Sequence, residues 1–368
     1  MAERQLIYLH IGRNKVGSTT LQDYFYARRD ELAAHGITYA MFGHMREWHP
    51  DLPGFASADD LAAYARAHPD RSVLVSNEFM FPWPRSYTEA VVAALKGVDA
   101  KVIAYIRPYA EWISSNYSWE IHMGVSSLDF DHFFEQIRDG VSCWPALEAW
   151  GNGMGWENMH IRSLDPRSLR GGNLISDCLS ALGVDSGVEE SARQLRSNAS
   201  PNWMVLELVR SLMDQTKDVA WDDPYFRTHV HPLKELMDQA IAASPNGGMR
   251  ARYHTAAQLR FLGELYNRDI SAIGEKTGVE IPAIPLNRIE ERPFLPSIRM
   301  IPKDIMADFA ARASAPAFRE RWPDAAGIAH IALDAVVLPA STRSWAKIKR
   351  FLVPGTVPDE APSISSAG

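Results

Sequence analysis

Short apolar strands alternating with helical runs over the first half of the chain predict an α/β protein. Its core would be a central parallel sheet flanked by helices. Three segments carry this reading: Leu6 to His10, Ser72 to Ser76 and Lys101 to Ile106. Each is a short run rich in β-branched or aromatic residues, as a strand buried on both faces requires, and each leads through a turn into a helical pattern.

The elements follow in order. After Leu6–His10 comes a glycine-containing loop, Gly12 to Gly17, and then a helical run from Ser18 to about His35. Leu21, Tyr24, Phe25 and Leu32 fall at helical spacing along it, and Gly36 supplies the left-handed residue that ends it. Ile37 to Ala40 reads as a second short strand. Ser57 reads as an N-cap, with Asp60 in the first turn of the helix that follows. Tyr87 to Leu95 reads as a helix leading into the strand Lys101 to Ile106, and Pro108 opens another. Beyond about residue 140 the pattern turns mostly helical, with one further strand at Asn158 to Arg162 and helices at Leu174–Leu182, Trp203–Met213 and Thr255–Ile273.

Proline recurs at 282, 285, 293, 296 and 302, which places a boundary there. The predicted organisation is a main domain over 1–281, a C-terminal extension over 282–357 and a Ser/Ala/Pro-rich disordered tail over 358–368. Within the extension, Arg343 to Leu352 reads as a solvated helix that is also basic and amphipathic enough to touch a membrane surface.

The 38 basic and 45 acidic residues leave a net charge of −7, so no global field favours nucleic acid or an anionic membrane. Any bound anion must be held by a local site. Cys143 and Cys178 are the only cysteines among 368 residues, which fits a reducing compartment and no disulfide framework. Met1 to Gln5 lacks the basic start and long apolar run of a signal peptide, and no stretch reaches the roughly 18–20 apolar residues of a membrane span. These features predict a cytoplasmic protein. His44 with His49, and His229 with His231, are pairs without further ligands nearby, so no metal is expected.

The strongest local signal is the segment His10-Ile11-Gly12-Arg13-Asn14-Lys15-Val16-Gly17-Ser18-Thr19-Thr20-Leu21-Gln22. It delivers a lysine and a small-residue turn onto a helix N-terminus, where unsatisfied N–H groups and the helix dipole both favour an anion. The order excludes a Walker A loop, in which the lysine follows the last glycine. Here Lys15 precedes Gly17 by two residues. A second candidate anchor is Arg107, at the C-terminal end of a strand, where open parallel sheets bind ligands. Ser115 follows eight residues later, a little over two helical turns, within reach of the same anion. On spacing alone, each also fits a surface basic residue beside a helix face.

The segment Tyr8–Gln22, continued by Arg28–Leu32 and Gly36–Tyr39, resembles the 5′-phosphosulfate loop and first helix of bacterial sulfotransferases. These enzymes use the donor 3′-phosphoadenosine 5′-phosphosulfate (PAPS). The family's usual form is His-Ile-Gly-x-x-Lys-Thr-Gly-Thr/Ser-Thr-Ser/Thr-Leu-Gln. This chain departs from it with Asn14, where proline is common, and with Val16 in place of threonine, which removes a hydroxyl from the loop. Lys101 to Tyr117 is similar to the family's 3′-phosphate motif, and Val75 to Phe79 to the segment that supplies a catalytic glutamate in glycan-type members. Looser similarity runs through Trp156–Arg162, Gly171 through Gly183 and Arg196–Pro201, so that the resemblance spans about residues 5–275.

The resemblance implies a P-loop-like sulfotransferase fold and transfer of a sulfuryl group from PAPS to an acceptor hydroxyl, with PAP as product and no metal. It implies that Lys15, Gly17, Ser18, Thr19 and Thr20 hold the 5′-phosphosulfate, and that Arg107 and Ser115 hold the 3′-phosphate. Lys15 would also stabilise the leaving oxygen. Glu78 is the first candidate base and His10, beside the loop, its rival. The implied acceptor is a small molecule or glycan, with a carbohydrate or glycolipid first. Trp83, Trp112, Trp119 and Trp144 could line its cleft. Two other functions compete: an ATP-dependent P-loop-like kinase, which the lysine position opposes, and an inactive nucleotide-binding module, which the set Lys15, Glu78, Arg107 and Ser115 opposes.

Overall fold

The computed structural model describes residues 6–42, 54–55, 58–67, 69–82, 85–184, 201–215, 228–249, 251–289 and 296–337. They fall into two compact units. The first is drawn from 1–116, 136–199 and 254–292, the second from 117–135, 200–253 and 293–368.

The first unit holds a six-stranded sheet: β1 (Ile7–His10), β2 (Ile37–Phe42), β3 (Gly54–Phe55), β4 (Ser72–Ser76), β5 (Ala100–Ile106) and β6 (Met159–Ser163). The spatial order is β3-β2-β4-β1-β5-β6, and every pairing is parallel. The predicted fold class is therefore the observed one. In register, Tyr8 lies opposite Leu74 and Lys101, and Leu9 opposite Val75 and Val102. That alternation sends Tyr8, Leu74, Ile103 and Tyr105 into one core layer, where they meet Leu21, Tyr24 and Phe25 of α1 (Ser18–Ala27). Ile175, Cys178 and Leu179 of α8 (Leu174–Ala181) complete the layer.

Between α1 and α8 the helices are α2 (Arg29–Ala34), α3 (Ala58–Ala67), α4 (Arg85–Ala94), α5 (Tyr109–His122), α6 (Phe130–Ile137) and α7 (Trp144–Met154). The helix predicted over 18–35 is two. Arg28 leaves helical geometry at φ −115, ψ 22, ending α1 and preceding α2. Two arginines stabilise the break: Arg29 donates to the Tyr26 carbonyl at 3.0 Å, and Arg28 pairs with Glu31 at 2.6 Å. Pro108 precedes α5, its carbonyl accepting from Trp112 N at 2.9 Å, so it acts as the cap of that helix instead of its first residue.

The later helices are α9 (Trp203–Gln215), α10 (His231–Ala243), α11 (Ala256–Thr277), α12 (Lys303–Ser314), α13 (Pro316–Arg321) and α14 (Pro323–Val337). Helix α11, in the first unit, opens with a reciprocal capping box between Thr255 and Gln258 and closes on the left-handed Gly278. In the second unit, α10 and α12 pack together, as do α12 and α14. Tyr117, Phe130, Phe133 and Tyr253 form an aromatic cluster there, with ring centroids 5.1–5.3 Å apart. No helix among the described residues is long and apolar enough to cross a membrane. Ser57, Trp83, most of Arg196–Pro201, the His44–His49 pair, Arg343–Leu352 and the tail lie outside the described residues.

One buried ion pair braces the sheet edge. Asp177 of α8 is fully buried and accepts from both Nε and Nη2 of Arg162 on β6, the latter at 2.6 Å. It also accepts from Tyr105 Oη at 2.7 Å and from Arg170 N at 3.0 Å. Burial alone would raise this carboxyl, but its donors hold it below the usual carboxylate range. Its stabilising contribution is therefore complete above the unfolded carboxylate pKa and is lost as pH falls through the lower folded value. Asp177→Ala is expected to cost about 3 kcal/mol, because it strands a guanidinium, a hydroxyl and an amide. Chemical denaturation measures this, and a loss below about 1 kcal/mol would show the pair to be dispensable.

Candidate functional site

The C-terminal ends of three adjacent strands, β4, β1 and β5, carry Glu78, the Gly12–Gly17 loop and Arg107 respectively. In this strand order the chain leaves β1 toward β2 on one side, and leaves β4 toward β5 on the other. Such a reversal opens the crevice in which parallel α/β sheets bind ligands.

The loop is tightly held. Gly17, the N-cap of α1, is left-handed at φ 88, and a Cβ there would lie 2.3 Å from Leu174 Cδ2. Only glycine meets both conditions. Lys15 is also left-handed, at φ 62, the one non-glycine with positive φ among the described residues. That conformation costs a lysine roughly 1–2 kcal/mol and persists only where neighbours enforce it. Its neighbours do so. Arg107 Nη1 donates to the Lys15 carbonyl at 3.4 Å. Trp112 Nε1 donates to the Asn14 carbonyl at 3.0 Å, and Asn14 Nδ2 donates to Asn116 Oδ1 at 2.9 Å. Arg13 stacks on Trp112, its guanidinium carbon 3.4 Å from the ring centroid, and donates to the carbonyls of Val141 at 2.5 Å and Gly140 at 3.1 Å.

The first helical bond of α1 runs from Leu21 N to Gly17 O at 3.1 Å, so Ser18, Thr19 and Thr20 form the opening turn. Ser18 Oγ donates to Glu78 Oε2 at 2.5 Å, which sets the carboxylate directly against the helix start. One turn on, Gln22 Nε2 donates to the Ser76 carbonyl at 3.4 Å. Asn77 N donates to His10 O at 3.0 Å, so β4 and its exit are joined to β1 and α1 at successive points. The side chain of Val16 is 1% exposed and packs in the core with Leu21 and Phe25. Val16 thus serves the core.

His10 is completely buried, its Nδ1 2.7 Å from Ser76 Oγ. Its Nε2 faces Gly12 so closely that a Cβ there would lie 2.8 Å away. Burial pushes the imidazole down to about 4, so the ring is neutral at pH 7. Arg107, besides its contact with the loop, pairs with Glu111 at 3.0 Å. Ser115 is half-buried on α5, and it shares no hydrogen bond with Arg107. The structure therefore links Lys15 with Arg107 and Ser18 with Glu78, while His10 lies beneath the loop and Ser115 stands apart.

Sequence reasoning missed Asn14, Trp112 and Asn116 as parts of this assembly. Trp112 and Asn116 are four residues apart on α5, and that i, i+4 spacing beside Arg107 was the available signal. Of the predicted tryptophans, Trp112 is buried against the loop, whereas Trp144 stacks on Trp156 at 5.6 Å. Trp119, in the second unit, is exposed. Among the described residues, no group of three or more His, Cys, Asp or Glu could hold a metal. His229 and His231 contact Asp324 at 3.5 Å and Glu235 at 3.8 Å respectively.

No family model and no curated protein matches the chain. Two similar solved structures are a sulfotransferase from Alicyclobacillus acidocaldarius and mouse sulfotransferase SULT7A1 complexed with PAP. The first is 16% identical, with 48% of this chain and 81% of that chain covered and a TM-score of 0.30. The second is also 16% identical, covers 74% of this chain and 88% of that chain, and has a TM-score of 0.37. Likeness at this level carries no weight for the chemistry, which rests on the residues of this chain. Those residues establish a parallel α/β sheet with a lysine loop, a glutamate and an arginine at the C-terminal ends of three adjacent strands.

Proposed function

We propose that this protein transfers a sulfuryl group from PAPS to an acceptor hydroxyl. The observation that carries the reading is the set of bonds at three adjacent strand ends: Ser18 to Glu78, and Arg107 to the backbone of Lys15. A carboxylate beside a lysine loop suits a reaction that removes a proton from one oxygen while charge develops on another. In the proposed step the acceptor oxygen attacks sulfur and Glu78 takes its proton. The bond from sulfur to the bridging oxygen breaks, and PAP leaves with the electron pair. The sulfate ester is the other product, so charge and atoms balance. Lys15 and the opening turn of α1 would stabilise the departing phosphate oxygens. Arg107 and Ser115 would hold the unreacting 3′-phosphate.

Glu78 is assigned the base role in preference to His10, whose buried ring lies against Ser76 and Gly12. On the resemblance of the Glu78 segment to glycan-type enzymes, the acceptor is proposed to be a carbohydrate or glycolipid hydroxyl, handled in the cytoplasm without nucleic acid.

Calorimetric titration with PAP, and with ATP plus magnesium as control, tests the donor. PAP is expected to bind with a Kd of about 1 μM, near −8 kcal/mol, and to lose most of that affinity when the 3′-phosphate is absent. Metal-dependent ATP binding without PAP binding would replace this reading by the kinase.

A further inference from the structure

We propose that Asn14 is a positioning residue that clamps the lysine loop to α5, so that the two phosphate anchors recognise the donor as one unit. This rests on the PAPS reading above. Asn14 uses both ends of its amide on that helix: Nδ2 donates to Asn116 Oδ1 at 2.9 Å, and Oδ1 accepts from Trp112 Nε1 at 3.3 Å. The same indole N–H reaches the Asn14 carbonyl at 3.0 Å. Trp112 and Asn116 are each 7% exposed, so these bonds form largely out of water, where an unpaired partner is costly.

Their placement gives the clamp its consequence. Asn14 immediately precedes Lys15, whose left-handed backbone must be enforced from outside. Asn116 immediately follows Ser115, and Trp112 lies on the same helix just after Arg107. The clamp therefore fixes the distance between the residues assigned to the 5′-phosphate and those assigned to the 3′-phosphate. A proline at position 14 would stiffen the loop from within but make neither side-chain bond. The asparagine stiffens it by attachment to the second anchor. Arg107 adds a direct link at 3.4 Å through the Lys15 carbonyl. Preorganised spacing rewards a ligand that uses both anchors and is nearly silent for one that uses the loop alone.

The test compares PAP with AMP, which lacks the 3′-phosphate, by calorimetry on the full chain. Asn14→Ala and Asn116→Leu are each expected to lower the ratio of PAP to AMP affinity by about fivefold to tenfold. The double variant should lower it no further than Asn14→Ala alone, because that change already removes the bond made by Asn116. A purely structural role would lower the melting temperature and leave this ratio unchanged. If Asn116→Leu does not fold, Asn116→Ala removes the same acceptor. An unchanged ratio in folded Asn14→Ala, or a double variant whose loss is the product of the two single losses, would each overturn the clamp while the PAPS site stands. A wild-type protein that does not prefer PAP to AMP would overturn both.

Discussion

Lys15→Ala is expected to lower the rate of the proposed sulfuryl transfer about 10²–10³-fold, the range found when one charge-stabilising donor is removed from a transition state. Affinity for unreacted PAPS is expected to change by no more than about threefold, since a group engaged chiefly with developing charge contributes little to ground-state binding. The alanine variant is well suited to isolate the amine. It keeps a Cβ at the left-handed position, so the backbone preference at φ 62 is that of the wild type. The contacts made by the Lys15 carbonyl and by Asn14 involve no atom that the substitution removes. Single-turnover rates with PAPS, paired with PAPS titration in the absence of acceptor, separate the two quantities. Equal losses in rate and affinity would make Lys15 an ordinary phosphate ligand and move the leaving-group role elsewhere.

Glu78→Gln is expected to reduce transfer by about 10²–10⁴-fold, the usual contribution of a positioned general base. The amide retains an oxygen that can accept from Ser18 Oγ, so the junction between β4 and the start of α1 should hold and PAP affinity should persist. The test measures transfer to a model acceptor across pH together with PAP binding. A folded, fully active glutamine variant would remove Glu78 from the chemistry. His10 would then inherit the role only by leaving Ser76 and the space beneath Gly12.

The parts of this architecture that were readable in the sequence are those where local chemistry and tertiary demand coincide. The apolar runs ending at His10, Ser76 and Ile106 had to be strands buried on both faces, and each is. Gly17 and Lys15 stood out because an anion turn needs small residues and a cation close together. Helices α6, α7, α10 and α12–α14 were not read from the sequence, and for α7 and α10 the reason is physical. Helix α7 contains Gly151 and Gly153 in its interior, and its stability comes from burying Leu147 and Trp150 instead of from intrinsic propensity. Helix α10 likewise depends on burial: its Leu233, Met237 and Ile241 belong to the second unit's packing. The site divided along the same line. Residues with a charge of their own could be named from spacing, but the bond from Asn14 to Asn116 crosses 102 positions of chain. Only the folded sheet decides which asparagines meet.

The near-contact between Gly17 and Leu174 has a consequence for how the protein can change over time. Two positions 157 residues apart in sequence share one small volume, so neither can drift alone. A larger residue at 17 requires a smaller one at 174, and that exchange would open the core layer shared by α1 and α8. It would also leave a side chain in a left-handed turn. The loop is thus insulated from gradual substitution by the packing of a helix that carries none of the proposed chemistry. Homologues that keep the loop's geometry should keep this pair together or lose it together.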